Sequence, residues 1–450
     1  MTDHNQNTAA APRPVLDLKD AVALVVGIIV GAGIFKAPSL VAKFSGTPEI
    51  MMAAWVLGGV ISILGALCYA ELATSHPNAG GEYHFLERAF GGDVARLFAW
   101  ARMTVIASGS IAIFAFVFAD YATQLVRLGE HSSSIYAALL VVVLTLINII
   151  GIDAGKRTQN FLTVIEVAGL VAIIIAGFFF ATPEVVPAVV GGAEAAKSAT
   201  PELGMVGLAM VFVLLTYGGW NDAAYLSAEI KDGQRNIARS LLIGLGIVTA
   251  LYLLVSLAYL SGLGLAGMAK SDAVASDLLT RAWGPTGGAI ISIIVAVAAI
   301  TSANATILTG ARTSYALGRD WSLFKFLGVW DGARGVPKNA MIVQSVIALA
   351  LVVFGSYNTD GFKNMVDYTA PVFWLFFFLT GMSLFIFRQW EPHAHRAFKV
   401  PFYPVTPLLF CGVCIYMLYS SLAYTGKGAL VGVGVLFAGV LLLLLDRRKR

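Results

Sequence analysis

Residues 26–35 read VGIIVGAGIF, an apolar stretch within a membrane-length segment that is interrupted at Gly31, Ala32 and Gly33. In hydrocarbon every unpaired backbone group is costly, so a helix that loosens at mid-membrane depth must bury its freed groups against protein, water or a ligand. The interruption therefore predicts a broken transmembrane helix and a candidate binding site. The alternative is a continuous helix whose small residues let a neighbouring helix pack closely.

The whole chain has the composition of a membrane protein. It has 450 residues, of which 58% are hydrophobic and 12% are charged, whereas soluble domains carry about 25% charged residues. Apolar runs of roughly 20 residues predict an all-α polytopic membrane protein with about twelve transmembrane helices. The expected spans are 20–44, 51–76, 94–128, 134–152, 159–181, 205–230, 240–263, 287–316, 339–354, 366–387, 405–424 and 429–445.

Lysine and arginine residues are distributed unevenly between the two sides of this topology. The tails and even-numbered loops hold about three times as many as the other loops, and cytoplasmic loops are the ones enriched in these residues. Both termini are therefore expected in the cytoplasm, and the formal net charge of +4 requires no nucleic-acid partner. Residues 1–18 lack the apolar core of a signal peptide and are expected to be a disordered cytoplasmic tail. The absence of a targeting signal favours a bacterial inner membrane.

The sixth predicted helix is interrupted much as the first one is. After MVGLAMVFVLL at 205–215, the small and polar residues TYGGWND at 216–222 stand inside an apolar run. Two broken helices five segments apart enter the membrane from opposite sides, which predicts an inverted five-plus-five repeat. The two repeats are expected at residues 19–182 and 203–390, followed at 400–450 by two appended helices and a basic tail.

A break in a helix leaves unpaired amides on one side of the gap and unpaired carbonyls on the other. An α-amino acid carries the matching charges, so its carboxylate is expected on amides of the first break and its ammonium on carbonyls of both breaks. Residues of the third, eighth and tenth helices are expected to line the space for its side chain. The expected substrate-binding residues are Ile29, Gly31, Ala32, Gly33, Ile34, Leu215, Tyr217, Gly218, Trp220 and Asn221.

Four stretches resemble the amino acid–polyamine–organocation superfamily, and within it the L-type amino acid transporters and their bacterial relatives. They are GIIVGAGIFKAP (27–38), GALCYAELATSHPNAGGEY (65–83), YGGWNDAAYLSAEIKDGQRNI (217–237) and, more weakly, TSANATILTGARTSYALGRD (301–320). The resemblance implies a LeuT-like fold in which helices 1 and 6 are unwound and bind the substrate. It also implies transport by alternating access. It implies that Gly31, Ala32 and Gly33 hold the carboxylate and that Leu215 takes the position of a bulky gate.

The expected function is secondary active transport of amino acids. The apolar and aromatic residues near the breaks favour neutral amino acids, carried by exchange or with protons. Cationic amino acids or polyamines are the alternative, which the acidic residues Glu166 and Asp222 would favour.

Candidate coupling residues lie in the fifth, sixth and eighth helices. By the resemblance, Glu166 stands where sodium-independent relatives often carry a lysine, and Ala32 stands where serine is frequent. A charged carboxylate in an apolar helix is expensive, so Glu166 is expected to be protonated, paired or hydrated. It is predicted to carry protons or to balance a cationic substrate, and a static hydrogen bond to the first helix is the alternative. Asp222 can reach the ammonium or pair within the bundle, while Thr301 and Ser302 occupy the region of a sodium site in sodium-driven members.

Charged residues are also expected to meet near the cytoplasmic ends of the helices. They are Glu71, Glu229, Lys231, Arg235 and Arg312. They are predicted to form an inner gate network that breaks when the site opens inward. Ordinary anchoring of helix ends is the alternative.

The sequence lacks the signatures of other classes of membrane protein. The chain has no GxSxG, HExxH or Walker-type loop, so an integral-membrane enzyme is not expected. A channel would build its filter through oligomeric symmetry, and a sensor would need a signalling domain. No cofactor or metal is expected, because His393 and His395 stand without a cysteine or carboxylate cluster. The expected partners are an amino acid substrate and membrane lipid.

A protein partner is not expected from the sequence. Animal L-type relatives use a disulfide-linked heavy chain, but the predicted extracellular loop RLGEHSSS (127–134) contains no cysteine. The chain is therefore expected to work with no obligatory heavy-chain subunit.

Overall fold

The computed structural model describes residues 17–76, 80–150, 156–180, 203–223, 230, 233–332, 334–357 and 360–447. Within these ranges the chain is almost entirely helical, and an isolated bridge pairs Asp331 with Val336. The expectation of an all-α polytopic membrane protein is confirmed.

The first half of the chain contains both long and interrupted helices. They are α1 Leu18–Ile29, α2 Ala37–Ser45, α3 Pro48–Ser75, α4 Glu82–Phe90, α5 Gly92–Ala101, α6 Ser108–Leu125, α7 Ser132–Ile150, α8 Lys156–Ile175 and α9 Leu203–Thr216. A short 3₁₀ helix, Ala32–Phe35, separates α1 from α2. A π-helical turn, Arg102–Ala107, joins α5 to α6, and a second one, Ala176–Phe180, extends α8.

The second half begins with a very short helix and continues with longer ones. They are α10 Trp220–Ala223, α11 Gly233–Lys270, α12 Val274–Asp320, α13 Lys338–Ser356, α14 Gly361–Trp390, α15 Val405–Ala423 and α16 Lys427–Arg447. A 3₁₀ helix, Ser322–Leu327, follows α12. Both α11 and α12 change direction at a glycine with positive φ, at Gly264 (67°) and Gly284 (74°).

Nine of the described helical segments are long and apolar enough to cross a membrane, and α5 with α6 forms one of them, Gly92–Leu125. The shorter apolar helices Val164–Phe180 and Gly204–Thr216 lie where the fifth and sixth spans are expected. The helix ends mostly fall within a few residues of the predicted spans. The larger differences are at α11 and α12, which continue through their glycine kinks. The count of twelve and the inverted repeat stay predictions.

The span α5–α6 lies at the centre of the bundle. Its second half packs against α7, α12, α13 and α14, and small residues such as Ala112, Ala115 and Ala119 are fully buried there, which allows close helix approach. The end of the bundle at which α1 begins is called the proximal end below. The opposite end, where α2 and α6 finish, is called the distal end.

Candidate functional site

The first span is broken in the interior of the protein. The last α-helical hydrogen bond of α1 runs from the Val30 amide to the Val26 carbonyl at 2.8 Å. Val30 and Gly31 then adopt extended backbone conformations, and the chain resumes as the 3₁₀ helix at Ala32. Val30, Ala32 and Ile34 are buried, so the groups freed by the break face protein and not lipid.

The second break lies directly against the first. Helix α9 ends at Thr216, and a turn through Tyr217, Gly218 and Gly219 leads into α10. Gly219 has φ +103°, and a Cβ atom built on it would lie 2.9 Å from the Ile28 carbonyl oxygen. A side chain at this position would be strained and would also collide with α1, so glycine is required for the two breaks to touch.

Tyr252 of α11 connects the two breaks. Its hydroxyl lies 3.0 Å from the Ile29 carbonyl oxygen and 3.2 Å from the Thr216 carbonyl oxygen, and these two residues end α1 and α9. One hydroxyl has a single proton to donate, so the two carbonyls keep acceptor capacity for a further donor. The sequence analysis missed Tyr252. The available signal was a tyrosine inside an apolar run, because a buried phenol usually has a hydrogen-bond partner.

A small apolar cavity of about 40 Å³ lies beside the second break, between α9 and α14. It is lined by Val211, Leu214, Leu215, Gly218, Val366, Thr369, Ala370, Phe373, Trp374 and Phe377. Thr369 carries the one hydroxyl among the lining residues, and this hydroxyl lies within hydrogen-bond distance of the Met365 and Val366 carbonyls of its own helix, at 3.1 and 3.2 Å. A cavity of this size has room for only a few water molecules, so an amino acid side chain requires it to widen.

Several residues predicted to bind substrate are not among those that line this cavity. Leu215 and Gly218 do line it, together with residues of α14, whereas no residue of α5–α6 or α12 is among the lining residues. Tyr217 instead donates to the Trp55 carbonyl at 3.0 Å. Trp220 packs edge-on to Tyr69, with ring centroids 5.1 Å apart.

The remaining predicted binding residues lie at the breaks or just beyond them. Ile29, Ala32 and Ile34 are buried at the first break. Gly33 faces Thr216 across the gap, since a Cβ atom on it would lie 3.5 Å from the Thr216 Cα. Asn221 is buried, and its side-chain amide lies 3.5 Å from Asp222.

Asp222 lies at the proximal end and not at the cavity. Its side chain is 52% exposed and lies 3.6 Å from Arg102. Arg102 also contacts Glu82 at 3.3 Å, and Glu82 accepts a 2.6 Å hydrogen bond from Tyr69. Burial raises the pKa of Glu82, and Arg102 and Tyr69 offset this only in part. Of the two roles predicted for Asp222, pairing within the bundle is the one that this geometry matches.

Glu166 is buried in α8, with 3% of its surface exposed. One helical turn later, Gly169 packs closely against Ile294 of α12. Within the described part of the chain Glu166 has no hydrogen-bond or ion-pair partner, although it is close enough to Tyr252 to interact electrostatically. The predicted static hydrogen bond to the first helix is therefore not seen.

The two predicted hydroxyl residues of α12 differ in their surroundings. Ser302 faces the first break, because its Oγ lies 3.4 Å from the position of a Cβ built on Gly31. Thr301 instead donates within its own helix, to the Val297 carbonyl at 3.0 Å.

The predicted inner gate is only partly visible. Glu71 forms two hydrogen bonds with Arg388, at 2.8 and 2.6 Å, and lies 3.4 Å from Arg396. It also accepts a 2.6 Å hydrogen bond from the Val400 amide. Arg312 is exposed on α12 and does not pair with Glu71. Glu229, Lys231 and the side chain of Arg235 lie outside the described residues.

A model of one family, Amino acid permease, matches residues 16–445. The chain belongs to the amino acid permease family. The resemblance to the amino acid–polyamine–organocation superfamily is thereby confirmed. This is a family of transporters and not of enzymes, and the permease is a multi-pass membrane protein.

Curated relatives match the permease over most of its length. The b(0,+)-type amino acid transporter 1 of Homo sapiens is 29% identical over 411 residues, which cover 90% of this chain and 82% of that protein. The same transporter of Mus musculus is 28% identical over 409 residues, with the same coverage. Large neutral amino acids transporter small subunit 2 of Mus musculus is 28% identical over 442 residues, covering 94% of this chain and 81% of that protein.

The expectation that the permease needs no partner subunit is wrong. Large neutral amino acids transporter small subunit 2 of Mus musculus, whose match covers 94% of this chain, is named as a small subunit. That relative is therefore one part of a larger assembly. The missing cysteine in residues 127–134 was weak evidence, because subunits also associate through noncovalent interfaces.

Proposed function

We propose that this permease is a secondary active transporter that carries neutral amino acids across the membrane by alternating access. The observation that carries the proposal is the contact between two helix breaks, inside the protein and beside an apolar cavity. Freed main-chain groups of both signs next to an apolar space suit a zwitterion with an uncharged side chain.

The main-chain groups provide the head-group site. The substrate carboxylate binds the amides of Ala32, Gly33 and Ile34, which follow the extended residues of the first break. The ammonium binds the carbonyls of Ile29 and Thr216, which it shares with the Tyr252 hydroxyl. This site reads the head group that all α-amino acids have in common, so the cavity next to it selects the side chain.

Neutral side chains are favoured because the cavity wall carries no charged group. Asp222 pairs with Arg102 at the proximal end. Glu166 lies on α8, which packs mainly against α11 and α12, and it is not among the residues that line the cavity. A cationic side chain in this cavity would lose its hydration without gaining a partner charge.

Counterflow in proteoliposomes tests this proposal. Vesicles loaded with one unlabelled amino acid should accumulate labelled leucine or alanine, and external neutral amino acids should compete better than lysine, arginine or a polyamine. Preferential counterflow of lysine or polyamine would reverse the assignment of substrate class. Binding without any counterflow would contradict transport itself.

Glu166 is the proposed coupling residue. A buried carboxyl without a partner avoids an uncompensated charge by holding a proton, and transport can release that proton when the site becomes hydrated. We expect Glu166→Gln to remove the pH dependence of uptake while exchange is partly retained. Glu130→Gln, at an exposed position in the loop before α7, is the matched control. Unchanged pH dependence in Glu166→Gln would discard proton coupling through this residue.

The proposed orientation has the proximal end in the cytoplasm of a bacterial inner membrane. It follows from the excess of lysine and arginine in the tails and even-numbered loops. Labelling of cysteines introduced at exposed positions by an impermeant reagent on intact cells tests it. Glu130→Cys should react, and Arg88→Cys should not.

A further inference from the structure

A buried ion pair holds the outer half of the first broken helix at the distal end. The Lys36 ammonium lies 2.8 Å from an Asp120 carboxylate oxygen, and the two side chains are 5% and 17% exposed. The same ammonium donates a 2.7 Å hydrogen bond to the Asp272 carbonyl, between α11 and α12. Asp120 also accepts a 2.9 Å hydrogen bond from Ser133 of α7. Lys36 therefore joins three parts of the chain at one point.

The neighbouring residues repeat the same connection. Tyr121, next to Asp120, donates a 2.5 Å hydrogen bond to the carbonyl of Phe35, next to Lys36. The Tyr121 hydroxyl in turn accepts a 3.3 Å hydrogen bond from the Ala275 amide, at the start of α12. Two consecutive residues of α6 thus bind two consecutive residues before α2, while Lys36 also binds the connection from α11 to α12 and Tyr121 also binds the first turn of α12.

These contacts tie the start of α2 to α6, to the connection between α11 and α12, and through Tyr121 to the first turn of α12. Residues 35–36 continue directly into α2, and α6 belongs to the central span. The first break precedes Lys36 along the chain, and Thr369 of the cavity wall faces Gly109, which precedes Asp120 on α6. Separating the start of α2 from α6 would therefore open a path from the distal end toward the first break.

We propose that Lys36 and Asp120, supported by Tyr121, form the distal gate of the permease. This inference rests on the proposed transport function. Lys36 is a positioning residue: its ion pair ties the start of α2 to α6 and so closes the path. Opening the gate separates the pair and hydrates both charges, so the pair stabilises the closed state without blocking the cycle.

Loss of one partner favours opening for two reasons. The closed state loses the attraction, and it also retains an unpaired charge in a largely buried place. In the open state the remaining charge is hydrated. Lys36→Met and Asp120→Asn should therefore shift the population toward a distally open state.

Cysteine labelling measures this shift directly. Thr369→Cys places a reporter in the cavity wall, while the native Cys68, Cys411 and Cys414 are buried. Protein without the reporter provides the blank, and an impermeant thiol reagent is added to intact cells without substrate. We expect Lys36→Met and Asp120→Asn each to raise the labelling rate by about tenfold, because a population shift changes access in proportion.

Lys363 provides a matched control at the same end of the bundle. It pairs with the buried Asp367 at 2.5 Å, but both residues belong to α14 at positions i and i+4. This pair crosses no gap, so Lys363→Met should leave the labelling rate unchanged. Lys36→Arg, which keeps the charge, should label close to the parent rate.

The outcomes separate the gate from a purely structural role. The proposal is overturned if Lys36→Met and Asp120→Asn elute as single folded species and label at the parent rate while Glu130→Cys reacts fully. If a single variant does not fold, the swap Lys36→Asp with Asp120→Lys decides: a rate near the parent supports the pair, and a raised rate contradicts it. Because no substrate is added, a failed counterflow assay leaves this result standing.

Discussion

The span α5–α6 contacts the second half of each of the two broken helices, and the two contacts differ. At the distal end Asp120 meets Lys36 at 2.8 Å, with side chains 17% and 5% exposed. At the proximal end Arg102 meets Asp222 at 3.6 Å, with side chains 20% and 52% exposed. Exposed pairs contribute about 0–1 kcal/mol, whereas a buried pair that loses one partner is strongly destabilised. Loss of one partner is therefore expected to disturb the contact of Lys36 with Asp120 more than the contact of Asp222 with Arg102.

The strongest charged cluster of the proximal end does not hold a broken helix. Glu71 of α3 binds Arg388 of α14 and Arg396 in the segment that follows α14. Arg396 also donates to the carbonyls of Phe387 and Glu391 at the end of α14, each at 3.0 Å. This cluster fastens the frame formed by α3 and α14, so the proximal end combines a buried charged cluster with the more exposed contact between Arg102 and Asp222.

The largest expected effect is on the stability of the frame formed by α3 and α14. Glu71→Gln should lower stability by about 3 kcal/mol or more, because two arginines lose a buried carboxylate. Thermal unfolding of the purified protein in detergent measures this as a lower midpoint. Glu87→Gln, at an exposed position of α4, serves as the control. Equal midpoints for the two variants would show that Glu71 does not fasten the frame.

The next effect concerns the contact between the two helix breaks. Gly219→Ala should reduce transport by more than about tenfold, since a non-glycine residue at such a φ costs about 1–3 kcal/mol and its Cβ would collide with the Ile28 carbonyl. Initial rates of counterflow provide the measurement. Gly246→Ala is the control, because a Cβ atom there meets nothing within 4 Å. Normal transport by Gly219→Ala would mean that the breaks need not touch.

A third prediction compares the two contacts of α5–α6 directly. Asp120→Asn should raise labelling of Thr369→Cys from the distal side by about tenfold, whereas Asp222→Asn should change labelling from the proximal side by less than about threefold. Intact cells and inverted vesicles give the two rates. A larger change for Asp222→Asn would mean that the proximal contact, and not the distal one, is the more sensitive to loss of one partner.

The smallest effect is a pH dependence at the proximal end. Burial lowers the pKa of His76, and Arg88 and His84 also lower it, while Glu391 raises it in part. The folded protein therefore binds a proton less readily than the unfolded chain. The contribution of His76 is full above its ordinary pKa of 6.5 and declines as the pH falls below that value.

Melting midpoints at about pH 7.5 and pH 5.5 test this dependence. His76→Gln should decrease the acid-induced drop by roughly one to two degrees. His131→Gln, at an exposed position at the distal end, should leave the drop unchanged. An identical drop in the parent and in His76→Gln would remove His76 as its source.

The sequence was sufficient for the breaks and for most helix ends, because both depend on local composition. Gly31, Gly33 and the glycines after Thr216 interrupt apolar runs, and the structure interrupts its helices at the same places. Glu166 was also recognisable, since a lone carboxylate in an apolar helix is conspicuous. Each of these features can be read within about one span of the chain.

The contacts between spans could not be predicted in the same way. Tyr252 is 223 residues from Ile29 along the chain, and Glu71 is 317 residues from Arg388. Grouping charges by the side of the membrane put Glu71 in a predicted network that did not include Arg388 and Arg396, the arginines that it contacts in the described structure. Topology specifies the depth of a residue, whereas the rotation of each helix decides which neighbour it meets.

The π-helical turn Arg102–Ala107 sets the rotation of α6 about its axis relative to α5. A π turn accommodates one more residue than an α turn, and each residue of an α-helix advances the azimuth by about 100°. Arg102 stands at the beginning of that turn and Asp120 beyond it. Removing a single residue from it would rotate Asp120 away from Lys36 while leaving Arg102 in place. One inserted residue therefore sets the rotation of Asp120 relative to Arg102 about the axis of the span.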